Sequence, residues 1–480
     1  MKKVREKTDV ALFVAGVFKM AILHLTAFLL FITNYLRFNH ISTFIANKNI
    51  QSAASPSPVV LPDDLITKIF SFLPVKSLLR FRCLSKYWKT LISRPDFVKL
   101  HLQRSGTRNP LFILITHRVK HVPEDSLYGS DEECEHSVVP YPIRSLLDNP
   151  SFTLFDDPYY HVRDKGCSDI VGSCNGLILL AGCFLDSWNG NQDDNYWLRV
   201  WNPATRTTSQ TFGYFNDFSN SPSQEFGFAF GCDNSTGIYK VVTSRVCSYE
   251  GTTEVRVLNL GSDVWRNIES FPVIPLHLEF GGLSIYGSVY LCGTLNWMAI
   301  NHMDSYFWYS RDHKDITVEQ FVIVSLNFGT ETYNLYPMPH GFDEVPPREP
   351  MVGLLGGCLC FSYSYKETDF VIWKMKKFGV EDSWFQFLKI SYQQLQIDHN
   401  FSVDWRKEYF ELVPLLLSED GDTLVLKSNE ENQAILYNWR HNRVQRTKVI
   451  VSRTITDNST SDHVFWKDAK DFVESLVPIF

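Results

Sequence analysis

A chain of 480 residues that is 44% hydrophobic and 21% charged is long enough for more than one folded domain, and its composition is not that of a disordered or fibrous protein. A net charge of -7 gives no general affinity for nucleic acid, whose binders present basic surfaces. The ten cysteines include no Cys-x-x-Cys pair and no His spaced to complete a zinc site. Many sit in apolar runs such as "YLCGTLNW", so reduced structural thiols in the cytosol or nucleus are expected.

In chain order, a basic start, "MKKVREK", leads into residues 10–36, "VALFVAGVFKMAILHLTAFLLFITNYL", which resembles a membrane span or signal anchor. Lys19 and His24 interrupt it and no small-residue cleavage site follows, so an extension that does not span a membrane is the other reading. "NKNIQSAASPSPV" (47–59) is small, polar and Pro-containing, the composition of a linker.

Residues 61–103 are helical by pattern. Pro62 with Asp63 and Asp64 starts a helix that Pro74 stops, and further helices fit 75–83 and 85–93, the last capped by Ser85. The first helix carries two apolar stripes: Leu65, Ile69 and Phe72, and beside them Ile66, Phe70 and Leu73. One stripe can pack on Leu78, Leu79, Phe81, Trp88 and Leu91. The other needs cover, from a partner protein or from the rest of the chain, because about 40 residues is near the lower limit for an independent fold. "EDSLYGSDEECEH" (124–136) reads as a solvated acidic loop.

From about residue 166 short β-rich runs alternate with Asn-Gly, Asn-Pro, Asp-Gly and Gly-Gly turns. One recurring unit is glycine, apolar strand and turn: "SCNGLILLAG", "SIYGSVYLCG", "GLLGGCLCFSY". Another is an apolar strand, a polar turn and Trp or Thr: "LRVWNPATRTT", "EVRVLNLGSDVWRNI", "FVIVSLNFGTETYNL", "FVIWKMKKFGVEDSWFQFL", "AILYNWRHNRVQRT". A repeat of this kind predicts an all-β, β-propeller-like domain, with a β-sandwich of hairpins as the alternative. The recurrent Trp and Tyr residues are read as core.

The helical stretch "LPDDLITKIFSFLPVKSLLRFRCLSKYWKTLISRPDFVKLHL" closely resembles an F-box of the plant form. The resemblance implies a three-helix unit that docks onto the adaptor subunit of cullin–RING ubiquitin ligases. By position, Leu61, Pro62, Leu65, Ile69, Leu73, Pro74, Leu78 and Cys83 form or buttress the adaptor-binding surface, with Cys83 where the family often has Val. The later pieces "GSCNGLILL", "LRVWNPATRT", "FGFAFGCDNSTGIYKVV", "GTLNWMAI" and "VIWKMKKFGVEDSWFQFLKI" resemble, in order, the F-box-associated, kelch-like domain of plant F-box proteins. Asn327 occupies a position usually held by Asp, and it too can cap a turn.

The expected organisation is therefore an α+β multidomain chain. It has an extension over 1–56, an F-box over 57–103, a linker with the acidic loop over 104–165, a β-propeller-like domain over 166–450 and a tail over 451–480. Adaptor docking requires the cytosol or nucleus, whereas the positive-inside rule would send residues beyond 40 across a membrane. Residues 10–36 are accordingly read as a non-spanning extension, with an oppositely oriented anchor as the alternative.

No phosphate-binding Gly loop, Gly-x-Ser-x-Gly elbow or His-Glu-x-x-His is present. Asp193 and Asp194 lie in polar turn sequence, "WNGNQDDNYW", and the sequons at Asn234, Asn400 and Asn458 matter only in a secretory chain. No catalytic, metal or cofactor residue is assigned. The expected role is the substrate-recognition subunit of a cullin–RING ligase, with the adaptor, and through it the cullin, and a target protein as partners. A scaffold without ubiquitin transfer, at a membrane through 10–36, is the alternative, and a propeller hydrolase the weaker third.

Overall fold

The computed structural model describes residues 62–105, 112–121, 133–153, 162–163, 169–184, 195–216, 227–247, 252–262, 264–276, 287–301, 316–397, 412–428, 433–450 and 460–479. The chain divides into two units, Met1–Pro62 and Asp63–Phe480, and every element below lies in the second. The apolar segment 10–36 lies outside the described residues. Among the described residues no helix is long and apolar enough to cross a membrane.

The second unit opens with four short helices: α1 (Asp63–Phe70), α2 (Val75–Leu84), α3 (Lys86–Ser93) and α4 (Pro95–Ser105). Local chemistry sets their ends. Asp63 and Asp64 lie in the first turn of α1, where the helix dipole favours carboxylates. Pro74, extended at φ -59° and ψ 148°, separates α1 from α2. The Ser85 hydroxyl accepts from Tyr87 N at 3.2 Å and starts α3, and Pro95 opens α4. The three helices expected through residue 93 are present, and α4 is an additional one.

Phe70 and Phe81 stack with centroids 5.1 Å apart, and Trp88 meets both edge-on at 5.7 and 5.3 Å. Leu73, Val75, Leu78, Leu91, Ile92 and Phe97 complete this small core. The predicted inner stripe is thus the one that buries Phe70 and Leu73.

The remainder is all β. Among the described residues, six antiparallel sheets of four or five strands follow one another in chain order as the blades of a propeller. Blade 1 joins the two ends of the domain: its inner strand is Thr460–Phe472, followed outward by Phe112–His121, Glu133–Pro142 and Val162–Arg163. Blade 2 spans Asp169–Asn216, blade 3 Gly227–Asn267, blade 4 Ile274–Pro337, blade 5 Met351–Ser391 and blade 6 Leu412–Arg446. The inner strands touch in sequence from blade 1 to blade 6 and back to blade 1, closing the ring.

Apolar seams lie between blades. Val138 and Phe472 meet Ile178 and Trp197 between blades 1 and 2, and Leu179 meets Phe230 between blades 2 and 3. Val257 meets Leu295 between blades 3 and 4, Phe321 meets Phe361 between 4 and 5, and Ile372 meets Leu426 between 5 and 6. Leu436 and Trp466 close the ring between 6 and 1, with the short helix α5 (Ile143–Asp148) packed against them through Leu146. Each fully buried Leu, Ile or Phe in these seams is worth about 1.5–3 kcal/mol.

The turns follow from sequence. Asn175-Gly176, Cys292-Gly293 and Gly356-Gly357 all hold positive φ at both positions, the geometry of two-residue hairpins in blades 2, 4 and 5. The third strands of blades 2, 3, 4 and 6 end at Asn202, Asn259, Asn327 and Asn438, each opening the turn to the fourth strand. The Asn327 carboxamide oxygen accepts from Gly329 N at 2.8 Å and from Thr330 N at 3.1 Å, so the Asn does cap its turn.

The expected domain borders need correction at two places. The stretch 104–165, expected as a linker, supplies three strands of blade 1 and helix α5. The stretch 451–480, expected as a tail, supplies the inner strand of that blade, followed by the buried Ser475, Leu476 and Val477. The physical reason is that blade 1 pairs residues far apart in sequence, which no local repeat displays.

Candidate docking site on the helical module

Three of the four helices turn apolar residues outward. Leu65 (46% exposed) lies on α1 and Phe72 (57%) in the turn just beyond its end, while Leu84 (55%) and Tyr87 (45%) stand at the corner between α2 and α3. The Tyr87 hydroxyl donates to Asp63 Oδ1, joining that corner to the start of α1. This hydrogen bond, reinforced by the carboxylate charge, raises the tyrosine pKa.

At the other end of α1, the Arg104 guanidinium of α4 lies 4.2 Å from the centroid of Phe72 and donates to Lys68 O at 3.1 Å and to Ser71 Oγ. It adds a second donor to the Lys68 carbonyl, which already accepts from Ser71 Oγ at 2.7 Å, and covers one face of Phe72. Beneath, the His101 ring nitrogen Nε2 lies 2.9 Å from Leu73 O, buried between α4 and the α1–α2 turn. Helices α1 to α3 therefore sit on a base braced by α4.

The sequence-predicted residues divide by depth. Pro62, Leu65, Pro74 and Cys83 are exposed and Ile69 is half-buried. Leu73 (7%) and Leu78 (0%) lie in the module's core and can only support the surface from beneath. Leu61 lies outside the described residues. Cys83 is a free thiol whose sulfur lies 3.5 Å from Leu79 O. Leu84 and Tyr87 were not singled out from the sequence; α2 buries Val75, Leu78 and Phe81, and the same three-residue step reaches Leu84, so spacing alone did not mark it as exposed.

The predicted alternative, that the β domain covers the second stripe, is not what the structure shows. The β domain meets α4 instead, where Val98 and Leu102 pack against the seam between blades 2 and 3.

Within the propeller, the most strongly perturbed exposed-side carboxylate, Glu331, is structural. It ends the Asn327 turn at φ 56°, pairs with Lys240 Nζ at 2.9 Å and with Arg266, and so ties blade 4 to blade 3. The Arg266 hydrogen bond first, then that of Lys240, holds its pKa at about 2. Cys83, Cys174, Cys232, Cys292, Cys358 and Cys360 are free thiols; burial pushes the Cys232 thiol up to about 11 and that of Cys360 to about 12, so both are protonated and unreactive at neutral pH. Among the described residues no group of three or more His, Cys, Asp or Glu side chains could hold a metal ion.

Comparison with known proteins agrees with this architecture. The F-box domain matches residues 60–100, and the F-box associated β-propeller domain matches 141–479. F-box protein CPR1 of Arabidopsis thaliana is 27% identical over 387 residues, covering 77% of this chain and 80% of that protein. The F-box/kelch-repeat protein At3g23880 of the same plant is 27% identical over 348 residues, 70% and 80% of the two chains. Among solved structures, a periplasmic gluconolactonase of Pseudomonas aeruginosa aligns over 70% of this chain and 83% of its own with a TM-score of 0.35 and 11% identity, too distant to bear on function. Helical module, blade ring and family matches converge on one conclusion: the chain belongs to the plant F-box proteins that carry a C-terminal F-box associated β-propeller domain.

Proposed function

We propose that this protein is the substrate-recognition subunit of a cullin–RING ubiquitin ligase, working in the cytoplasm or nucleus. The observation that carries the reading is the outward-facing apolar set Leu65, Phe72, Leu84 and Tyr87 on a small module already well packed inside. A partner's helices bury this set. Pro62, Ile69, Pro74 and Cys83 border the contact, Leu61 precedes it, and Leu73 and Leu78 support it. The chain carries out no chemistry itself; it brings a bound target close to a ubiquitin-charged enzyme held elsewhere in the assembly.

The target is held by the propeller on the face away from the helices. What supports this is the arrangement of connections. The short turns at 175–176, 203–206 and 233–238 lie at the strand ends nearest α4. The opposite strand ends, after Phe184, Ile300 and Ser391, lead into longer connections, the type of surface on which recognition varies over a rigid scaffold.

The test is affinity purification of the full chain under proteasome inhibition, beside Leu65→Ser with Leu84→Ser. Adaptor and cullin should co-purify with the wild type and be lost from the variant, whose exposed changes leave the core intact. Retention by the variant overturns the docking surface, and absence from both overturns the ligase reading. A captured partner whose half-life is unchanged when 61–92 is deleted would favour the scaffold.

A further inference from the structure

Segment 473–479, which follows the inner strand of blade 1, is caught between the helical module and the propeller. Ser475, Leu476 and Val477 are all buried, and Val477 joins the seam between blades 2 and 3 together with the half-buried Ile479. Val98 and Leu102 of α4 enter that same seam. Glu474, largely desolvated, lies within electrostatic reach of Lys76 on α2.

Beyond this packing, one side chain ties the segment to blade 2 by hydrogen bonds. Asn202, fully buried, donates through Nδ2 to Val477 O at 2.8 Å and to Ser475 O at 3.3 Å. Its Oδ1 meanwhile accepts from Thr205 N at 3.2 Å and caps the blade 2 turn. Gly176 leaves the room the segment needs. It sits at φ 81°, and a Cβ there would stand 2.8 Å from Val473 O.

The other face of α4 grips the helical module through the His101 contact with Leu73 O and the Arg104 contacts with α1. Helix α4 and segment 473–479 thus form a two-part joint with blade 2 on one side and the docking helices on the other.

We propose that Asn202 is a positioning residue. By pinning segment 473–479 under α4 it fixes the angle between the docking helices and the propeller, and so fixes where a bound target stands relative to whatever docks on the helices. The mechanical part stands on the geometry alone; its consequence for ubiquitin transfer rests on the ligase reading above.

Asn202→Asp separates the roles of this side chain. A carboxylate keeps an acceptor for Thr205 N, but it loses both donors and sets negative charge against two carbonyl oxygens. Asn327→Asp is the matched control, since Asn327 caps its turn in the same way through Oδ1.

The measurement is a dipolar distance distribution in the full chain between spin labels on the exposed Cys83 and Cys292, with Cys134, Cys167, Cys183, Cys247 and Cys358 replaced by Ser. Asn202→Asp should widen the distribution about twofold and speed proteolysis within 473–479 about tenfold, while Asn327→Asp leaves both unchanged. Adaptor affinity should stay within about twofold, and transfer to a bound target should fall about tenfold.

A wild-type distance distribution in Asn202→Asp overturns the proposal. If that variant fails to fold, Val98→Ser with Leu102→Ser, which loosens the joint from the helical side, must widen the distribution, and a wild-type width there overturns it equally. Widening without adaptor binding by the wild type would leave the joint standing and remove the ligase reading instead.

Discussion

Asn327 shows how a single carboxamide fixes a blade turn. Its oxygen takes two backbone N–H groups that the turn would otherwise leave open, so an acceptor is needed there and the amide nitrogen is not. Asn327→Asp should change unfolding free energy by less than about 0.5 kcal/mol, and Asn327→Ala should cost about 1 kcal/mol, read from urea unfolding. Glu331, four residues on, adds a pH dependence. Its pKa is held at about 2, below that of an unfolded chain, so the stability it contributes is present above pH 4.5 and is lost as pH falls through 4.5 towards 2. Unfolding midpoints measured from pH 7 to pH 2.5 should fall by the equivalent of about 1 kcal/mol more for wild type than for Glu331→Gln, solvent screening keeping the effect modest.

Helices α1, α2 and α3 contrast two kinds of apolar residue that a helical pattern writes identically. Leu78 has no exposed surface, whereas Leu84, on the same helix, is more than half exposed. Leu78→Ala should cost about 2–5 kcal/mol and unfold the module, seen as loss of helical signal. Leu84→Ala should leave that signal unchanged and weaken adaptor capture about tenfold or more in a binding titration. Much at this scale was legible in the sequence. The Pro and Ser boundaries of the helices, the Asn-Gly and Gly-Gly hairpins and the Asn-ended strands all follow from residue types with one strong conformational preference. Helix α4 lay within the stretch 61–103 read as helical but was not set apart as its own element, because its apolar residues divide between two faces: Phe97 and His101 pack inward, Val98 and Leu102 against the blades. No single stripe emerges from that pattern. Leu73 and Leu78 came from the F-box resemblance as residues that form or buttress the surface, and their burial leaves them only the supporting place.

The whole molecule depends on one pairing between distant segments. Thr460–Phe472 contacts Phe112–His121 on one side and the inner strand of blade 2 on the other. Deleting 460–479 should therefore abolish cooperative unfolding of the entire β domain, because it removes an inner strand and opens two seams at once; differential scanning calorimetry would show the main transition lost. A chain that kept a single sharp transition would count against ring closure as the organising element. The propeller as a class was visible in the sequence through its repeat. Blade 1 was not, because its strands include charged runs such as "THRVKH" and "FWKDAKDF" that read locally as loop or tail and gain their meaning only from each other.

That pairing also imposes an order on synthesis. On a ribosome, α1 to α4 emerge early, while the strand 112–121 must wait for a neighbour made about 350 residues later. The docking helices reach the cell before the propeller can close, and before segment 473–479 exists to set their angle. On the proposed ligase reading, an unfinished chain is able to occupy the adaptor while holding nothing, and nascent or truncated copies then compete with complete ones for a shared partner.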